Sequence, residues 1–574
     1  MKIQNFDLTN SPKLMNVSTI FLSLMVTVFA SGLFSCSTVP EKPKEKDIVK
    51  IPEQLDIRIK RNIKKNLEFI LANKGRLSDT VLLSMDSVVG ALYSANDYKP
   101  LWSRQENWLP QADSLYSFIE HSKEYGLFPT DYHYRALQKI RLLVSTDTTS
   151  GKDAALWSRG DLIFSDALFL VAKHLKQGRL QYDSVTLRRD TVLPLDFFFQ
   201  VYEQLKRSND LAGILHTLEP KHAAYDSLKT GLKVFLDSVT AFRRFTYLPY
   251  PVKDSASFYG LLQKRFFEDD IVLSATDQMD TTAWKTAIRS YQQANGLKVT
   301  GKINETTVQS LNNTDWEKFK LIAINLDRYK LLPDTLPGTY VWVNLPSYRL
   351  KLVDFDSVAL ESRVIVGTSK TRTPLLTSEI SNFITYPQWT VPYSIIFKEM
   401  LPQIQKSTEY LKKQNLMVVD KNDSIIDPNT IDWSKLSKKR FPYLLKQRQG
   451  DDNSLGVLKF NFANKYSVYL HDTNARWLFS KSSRALSHGC VRVKEWERLS
   501  HFLVKNDSIK YHPDTLRSWI NRQEKHVVYG FRKIPIFIRY FTCEGSDGKV
   551  KFYDDIYGED KILRQRYFAD KSIN

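Results

Sequence analysis

The sequence predicts a multidomain α+β protein, with a helical N-terminal part followed by a mostly β C-terminal part. The chain has 574 residues, which is too long for a single hydrophobic core. From about residue 56 to 312 apolar residues recur at spacings of three and four, as in helices, whereas from about residue 337 they alternate with polar residues, as in strands. Hydrophobic residues make up 42% of the chain, which is typical of packed domains rather than disordered protein.

The first 36 residues have the pattern of a bacterial export signal. Lys13 precedes a stretch of about twenty uncharged, mainly apolar residues, and a polar, charged stretch follows. The segment ending Leu33-Phe34-Ser35-Cys36 resembles a lipobox, which implies lipidation of Cys36. The alternative is an uncleaved transmembrane helix. Both interpretations place the rest of the chain in the periplasm, with residues 37–55, rich in Pro, Lys and Glu, as a tether.

The chain is basic, with a net charge of +19 from 82 Lys and Arg against 63 Asp and Glu. Such an excess indicates either a solvated basic surface or an anionic partner, such as lipid headgroups or an acidic wall polymer. The sequence has no basic run interleaved with aromatic residues and no nucleic-acid-binding motif. Nucleic acid is therefore not expected as a partner.

Residues 56–256 are predicted to form a helical scaffold. The segments LSDTVLLSMDSVVGALYSAN and SRGDLIFSDALFLVAKHLKQG both carry apolar residues at helical spacing. Ser78 and Asp161 stand where N-caps are expected, and Gly178 is a plausible C-terminal stop. This part contains no recognisable catalytic constellation.

Residues 257–312 are predicted to form a smaller three-helix module, after which residues 313–336 return to the scaffold. Gly296 ends one helix, Gly301 makes a turn, and Asn304 caps the last helix. The segment resembles the peptidoglycan-binding domain 1 family, and the alternative is a generic helical hairpin. The residues that carry the resemblance are Ile288, Tyr291, Gln292, Asn295-Gly296-Leu297, Thr300-Gly301 and Thr306.

Residues 337–560 are predicted to form a sheet domain. Several strands lead up to residue 394, and further strands resume at LGVLKFNF. The segment 394–450 interrupts them with helical and polar sequence, and an insertion of this length is usually functional, for instance as a lid. Two helices and a terminal pair of strands, KIPIFIRYFTCE and VKFYDDIYG, complete the domain.

The segment that carries chemistry runs from His471 to Cys490. His471 lies at the end of a predicted strand, and a loop returns the chain to a small, flexible Ser487-His488-Gly489 just before Cys490. A thiol becomes a strong nucleophile when an imidazole removes its proton. Gly489 leaves room for an acyl group, and the neighbouring backbone amides are candidates for an oxyanion hole.

Three other interpretations of Cys490 remain open from the residues alone. It could be a small buried hydrophobic residue, although its polar flank does not favour this. It could bind zinc with His471 and His488, but these offer only three ligands. It could form a disulfide with Cys543, in which case it could not act as a nucleophile.

Around these residues the sequence resembles the YkuD family of L,D-transpeptidases, whose motif is a His, a variable loop, Ser-His-Gly-Cys and an Arg two residues later. His471, Ser487-His488-Gly489-Cys490 and Arg492 match it without a gap. The resemblance extends to the larger YcbB-like type, which has a helical scaffold, an inserted peptidoglycan-binding module and a capped catalytic domain. Segments that carry this wider resemblance include ALYSANDYKPLW, NLDRYKLLP, VNLPSYRL, SRVIVG, TPLLTSEI and SSRALSHGCVRV.

The resemblance implies a role for each matching residue. Cys490 would attack the third residue of a tetrapeptide stem and release D-alanine, with His471 as the proton acceptor and donor. The backbone carbonyl of Asp472 would orient the imidazole, and residues 394–450 would form the cap. The oxyanion site would be lined by His488 and Gly489, and Arg492 would position the acyl donor. Weaker candidates for the pocket wall are Tyr469 and Trp389.

Two other functions remain compatible with the sequence. A carboxypeptidase or amidase would pass the same acyl group to water, and a non-catalytic anchor would use only the wall-binding module and the lipid. The complete His-to-Cys motif does not favour the anchor, because an anchor has no use for a thiol. The expected partners are peptidoglycan stem peptides, the glycan and a membrane, and neither a cofactor nor a metal is expected.

Overall fold

The computed structural model of the protein describes residues 40–181, 185–186, 192–355, 357–507, 509–569 and 571. The predicted signal segment, including Cys36, lies outside the described residues. Within the described ranges, no helix has both the length and the apolar character that a membrane crossing requires.

The N-terminal part is a bundle of helices around one long, almost entirely buried helix, Ala154–Lys176. Aromatic residues from this helix and its neighbours, among them Trp102, Trp157 and Phe164, fill the core. A short hairpin interrupts the helices. The elements are α1 Leu55–Ala72, α2 Asp86–Ala95, β1 Ser103–Arg104, β2 Asn107–Trp108, α3 Pro110–Glu120, α4 Tyr134–Thr146, α5 Thr148–Gly151, α6 Ala154–Lys176, α7 Leu195–Ser208, α8 Leu211–Leu218 and α9 Ala223–Ser238.

The predicted helix start at Ser78 is wrong. The helix in this segment, α2, begins only at Asp86. Before it, Arg76 and Leu82 form an isolated antiparallel bridge, so the apolar residues between them belong to a compact turn. Periodicity alone did not distinguish this turn from a first helical turn.

The predicted N-cap at Asp161 is also wrong, because α6 begins earlier, after Asp153, whose carboxylate caps its first turn. Asp161 lies inside α6 and is fully buried. Its carboxylate accepts hydrogen bonds from the backbone N–H groups of Leu101 at 2.8 Å and Trp102 at 3.0 Å. Asp161 therefore accepts the hydrogen bonds of a buried loop of the scaffold. Gly178 follows the end of α6 with a φ of +74°, so the predicted stop is confirmed.

The three helices predicted for the smaller module are present: α10 Ser255–Glu268, α11 Thr281–Ala294 and α12 Glu305–Asn312. Asn304 caps α12 by accepting a hydrogen bond from Thr307 N–H at 2.9 Å. Gln292 is buried and accepts hydrogen bonds from the N–H groups of Thr300 and Gly301, which holds the turn before α12. Helix α13, Asp315–Tyr329, then returns to pack on α9.

The C-terminal part is mostly β, as predicted. Its elements are β3 Thr339–Asn344, β4 Arg349–Asp354, β5 Ser357–Gly367, β6 Leu376–Thr385, β7 Trp389–Thr390, α14 Tyr393–Ile395, α15 Leu401–Ile404, α16 Glu409–Lys413, β8 Leu416–Val419, β9 Ile425–Ile426, β10 Leu444–Gln447, β11 Leu458–Phe462, β12 Leu470–His471, β13 Ala485–Ser487, β14 Val491–Val493, α17 Trp496–Leu503, α18 Pro513–Asn521, β15 Val527–Val528, β16 Ile534–Arg539, β17 Cys543–Ser546, β18 Lys549–Phe552 and α19 Glu559–Tyr567.

The main sheet closes into a barrel. Its order is β11-β12-β14-β5-β4-β3-β16-β6, and β6 pairs again with β11. In addition, β13 pairs with β5, and β15 pairs with β6. Most neighbours are antiparallel, but three pairs are parallel: β12 with β14, β16 with β3 and β13 with β5. Alternate side chains of these strands, such as Val341, Val343, Leu470 and Val491, fill the barrel core.

The terminal pair of strands differs from the prediction. The segment KIPIFIRYFTCE forms β16 only as far as Arg539, and a separate strand, β17, begins at Cys543. β17 pairs with β18 in a hairpin outside the barrel, and this hairpin packs against α9 of the scaffold.

The predicted insertion folds as a small cap with its own core. β7, β10, β8 and β9 form a four-stranded sheet, covered by α14–α16 and a π-helical turn, Ile396–Met400. The apolar cluster here, which includes Ile396, Leu411 and Trp433, is separate from the barrel core. Trp389 in β7 lies where the cap leaves the barrel.

Candidate active site

Cys490 and His471 lie on one face of two neighbouring barrel strands. β12 and β14 are parallel, with Leu470 opposite Val491 and His471 opposite Arg492. Leu470 and Val491 point into the barrel core, so the alternate residues on these strands point to the other face. This register places Tyr469, His471, Cys490 and Arg492 together on the outer face, and it brings the predicted nucleophile and base together diagonally.

The Cys490 thiol is half-buried beside the side chain of Tyr469. Its Sγ lies 4.0 Å from the carbonyl oxygen of Ser467, and the side chain of Tyr469 interacts with both the thiol and Trp389. Burial by these neighbours raises the pKa of the Cys490 thiol above its ordinary value, although the charges of Lys459 and Arg492 act in the opposite direction. The thiol is therefore protonated at neutral pH in the resting structure.

His471 is buried and neutral. Burial lowers the pKa of its imidazole to about 3, and the nearby charge of Arg492 acts in the same direction. The backbone carbonyls of Asp472 and Leu455 face the ring and act in the opposite direction. Nδ1 nevertheless has no well-formed hydrogen bond to any described residue. No hydrogen bond joins the thiol and the imidazole in the part of the chain that the structure describes.

The side chain of Asp472 serves the local structure rather than His471. Its carboxylate accepts hydrogen bonds from Arg476 at 3.1 and 2.6 Å and from the N–H of Val457 at 3.1 Å. These contacts hold the carboxylate away from the face that carries His471. Only the backbone of Asp472 can act on the imidazole.

Arg492 and Lys459 bring two positive charges to this face. Lys459 lies opposite His471 in the antiparallel pair of β11 and β12, and its Nζ lies 4.1 Å from the centroid of the Tyr469 ring. Burial lowers the pKa of both cations. Sequence reasoning identified Arg492 but missed Lys459, since a lysine in a predicted strand resembles any solvent-facing residue.

The turn that presents Cys490 is braced from two sides. The Ser487 hydroxyl donates to the Cys490 carbonyl at 2.6 Å and accepts from the Gly489 N–H at 3.1 Å. The Thr373 hydroxyl donates to the Gly489 carbonyl at 2.9 Å. Gly489 has a φ of +123°, which favours glycine. Its N–H is already engaged, so the Cys490 N–H, which has no acceptor among the described residues, is the better oxyanion donor.

His488 points toward the cap rather than toward the thiol. Its Nε2 lies 2.9 Å from Oε1 of Glu399 in the cap, and both side chains are about half exposed, at 46% and 50%. The sequence placed His488 in the oxyanion site. In the structure its side chain instead links the turn to the cap.

The other described cysteine is remote from this chemistry. Cys490 and Cys543 are both free thiols. Cys543 is fully buried in the cluster between α13 and the β17–β18 hairpin, and burial raises the pKa of its thiol. Among the described ranges, no group of three or more His, Cys, Asp or Glu residues is arranged to hold a metal.

Three family models match the chain. Residues 338–510 match the YkuD model, an L,D-transpeptidase catalytic domain, and this range contains every candidate site residue discussed above except Cys36. Residues 87–232 match a scaffold domain. Residues 265–311 match the model described as "Putative peptidoglycan binding domain".

One curated relative is a Haemophilus influenzae protein named "Putative L,D-transpeptidase". It is 36% identical over 243 residues, which is 42% of this chain and 48% of the relative. The match thus spans about half the length of that protein.

Proposed function

We propose that this chain, which carries a YkuD-type L,D-transpeptidase catalytic domain and a peptidoglycan-binding domain, cross-links peptidoglycan stem peptides through a thioester on Cys490. The observation that carries the proposal is the shared outer face of β12 and β14. On this face a thiol, an imidazole and an arginine lie together at the base of a cap.

The reaction begins with Cys490 and His471 both neutral. His471 takes the thiol proton as Sγ attacks the carbonyl carbon of the third residue of a tetrapeptide stem. The carbon–nitrogen bond to the terminal D-alanine then breaks, and His471 returns the proton to the departing amine. In the second half-reaction, an acceptor amine loses a proton to His471 and attacks the thioester, which restores the thiol.

The remaining residues support these two steps. The Cys490 N–H stabilises the oxyanion, and the backbone of His488 and Gly489 lines the rest of that site. The His488 side chain stays bound to Glu399 of the cap, and the Gly489 N–H stays bound to Ser487. The Asp472 backbone carbonyl orients the protonated imidazole, and Arg492 holds the acyl donor. The pocket wall consists of Tyr469 and Trp389.

Transfer rather than hydrolysis is supported by the cap. It rises from Trp389, which contacts Tyr469 next to the thiol, and it contacts the turn before Cys490 through Glu399 and His488. A covered thioester reacts less readily with water, so an acceptor amine gains an advantage. Product analysis distinguishes the two outcomes, because transfer yields a joined stem and hydrolysis yields a free tripeptide.

The other parts of the chain would bring the enzyme to its substrate. We assign the module at residues 265–311 to the wall glycan, and Cys36 to a lipid that holds the chain at a bacterial membrane on the periplasmic side. A Cys36→Ala variant should leave the membrane fraction. If it stays there, residues 14–33 act as a spanning helix instead.

Comparing the two described cysteines tests the proposal. Cys490→Ala should abolish cross-link formation while leaving folding intact, since a thiol-to-methyl change at a half-buried site has a small packing cost. Cys543→Ala removes the other thiol, which lies far from the barrel face, and should retain activity. Cross-linking by Cys490→Ala would exclude a cysteine mechanism.

A further inference from the structure

Lys459 lies next to the catalytic face without being part of the recognised motif. Its neighbours in β11, Leu458 and Phe460, point into the barrel core, so Lys459 points outward. In the register of β11 and β12 it lies opposite His471. Its Nζ stands over the ring of Tyr469, at 4.1 Å from the centroid, and that ring contacts the Cys490 thiol.

Among the residues that the structure describes, none neutralises the positive charge of Lys459. No described carboxylate lies within ion-pair distance of either Lys459 or Arg492. The Nε of Arg492 is also buried without an acceptor. Cys490 and His471 are neutral at rest, so this face carries two uncompensated cations. Buried cations without counter-charges are costly, so the site favours an anionic group on the substrate.

The positions of Lys459 and Arg492 indicate that they contact different parts of the substrate. Across the sheet the order is Lys459, His471 and Arg492, on β11, β12 and β14. The acyl group stays on Cys490, which is in the same segment as Arg492. The departing amine receives its proton from His471, so the leaving group lies on the His471 side, toward Lys459.

We infer that Lys459 binds the terminal carboxylate of the departing D-amino acid, and so selects acyl donors with a free C-terminus. This inference rests on the proposed function. In such a donor the carboxylate is attached to the carbon next to the scissile nitrogen, so it moves with the leaving group. The Lys459 ammonium group, held over Tyr469 on the far side of His471, can bind this carboxylate as the leaving group departs. Lys459 would thus be a specificity-determining residue.

The test compares two acyl donors of the same stem sequence, one ending in a free carboxylate and one in a carboxamide. Lys459→Met retains the length of the side chain over Tyr469 but removes its charge. We expect it to raise KM for the carboxylate donor by about tenfold or more, the size of one lost charged hydrogen bond. The KM for the carboxamide donor should hardly change, and Lys459→Arg should restore most of the preference.

Lys465→Met is the matched control. Lys465 also stands over a tyrosine, at 5.2 Å from the Tyr466 ring, but it is exposed in the loop after β11. Replacing Lys465 should change the KM for neither donor. Binding of both donors to the non-reactive Cys490→Ala variant, with and without Lys459→Met, gives the same comparison if the carboxamide is not turned over.

Two results would overturn the inference. Equal losses with both donors would mean that Lys459 acts on the thiol or on the packing of Tyr469 rather than on the carboxylate. An unchanged donor preference in Lys459→Met would mean that Lys459 has no part in selection. Neither result affects the proposed function, which fails separately if the wild-type protein forms no adduct at Cys490 with either donor.

Discussion

Burial determines the charge state of the two central side chains. The thiol of Cys490 is held protonated, and the imidazole of His471 is held neutral. The Asp472 carboxylate, which could have favoured an imidazolium, is bound to Arg476 instead. The resting site thus contains no thiolate–imidazolium ion pair. In the proposed reaction the thiol proton moves only when substrate arrives, which would limit other reactions of the thiol before then.

This charge state predicts a pH dependence of stability that involves His471. Above its unfolded pKa of about 6.5, the ring is neutral in both states. Between that pH and the folded pKa of about 3, only the unfolded chain binds the proton, so the free energy of unfolding falls as the pH falls. The slope from this group is at most about 1.4 kcal/mol per pH unit. His471→Asn should therefore lose less stability between pH 7 and pH 5 than the wild type.

Chemical denaturation at the two pH values measures this difference. His121→Asn is the matched control, because it removes an exposed imidazole at the end of α3. If His471→Asn showed the same pH dependence as the wild type, the imidazole would not be held neutral by burial.

At this scale the sequence identified the residues with distinctive chemistry. Cys490 and His471 were predicted from their spacing and flanks, and Arg492 from the resemblance to the family motif; the structure places all three on one face. Lys459 was missed because its position beside His471 depends on the register between β11 and β12. Nothing in the local pattern of LGVLKFNF distinguishes a lysine that faces a thiol from one that faces water.

At the scale of elements, the turn that presents Cys490, residues 487–489, depends on a loop from a different part of the barrel. Thr373 accepts a hydrogen bond from the Gly367 N–H at 2.9 Å and donates to the Gly489 carbonyl at 2.9 Å. Tyr557 donates to the Gly367 carbonyl at 2.8 Å and accepts from the Thr373 N–H at 3.1 Å. These contacts join β5, this turn and the C-terminal segment, so Cys490 is held from outside its own strand.

Thr373→Val is predicted to displace the turn. Valine retains the shape of threonine but leaves the Gly489 carbonyl and the Gly367 N–H without partners, at a cost of about 1–3 kcal/mol. Thermal unfolding should show this loss, and alkylation of Cys490 should change in rate. Thr373→Ser keeps the hydroxyl and should behave nearly as the wild type. Full stability in Thr373→Val would mean that the brace contributes little.

The cap is held to the turn more weakly than the turn is held to the barrel. The hydrogen bond between Glu399 and His488 is half exposed, and exposed polar contacts of this kind contribute about 1 kcal/mol or less. Under the proposed function, a contact of this strength would permit the cap to open for a stem peptide. The sequence predicted the insertion from its length. It did not predict the contact between Glu399 and His488, because these residues are far apart in the chain and no local pattern links them.

For the whole molecule, the scaffold and the catalytic domain meet through close backbone contacts. The β17–β18 hairpin lies against α9, and a Cβ on Gly545 would overlap the backbone of Ser227. Asn325 in α13 also exchanges hydrogen bonds of 2.9 Å with Thr542, one to its hydroxyl and one from its N–H. The helical part therefore supports the end of the barrel chain directly.

Gly545→Ala is predicted to destabilise this junction. The overlapping atoms belong to the backbone of α9, which cannot rotate away, so the hairpin must shift and part of the buried cluster around Cys543 is exposed. The melting temperature should fall by about 1–3 °C, the effect of about 1–3 kcal/mol in a protein of this size. Gly260→Ala, in α10 where nothing lies within 4 Å, is the control and should not destabilise the protein. A Gly545→Ala variant that melted at the same temperature as the wild type would contradict the close contact between the hairpin and α9.

The order of the parts was predictable from the sequence, because each part has its own periodicity and boundary residues. The closure of β6 onto β11 and the docking of β17–β18 on α9 were not. Both involve contacts between segments far apart in the chain, and local patterns do not specify which distant strands pair.

Intact-mass analysis of the full chain with a tetrapeptide stem tests the central claim most directly. The account predicts an adduct equal to the stem minus its terminal D-alanine, located on Cys490 by peptide mapping and discharged when an acceptor stem is added. The Cys490→Ala variant should form none. The account would be contradicted if the wild-type protein formed cross-links with no adduct, or if the same adduct formed in the Cys490→Ala variant.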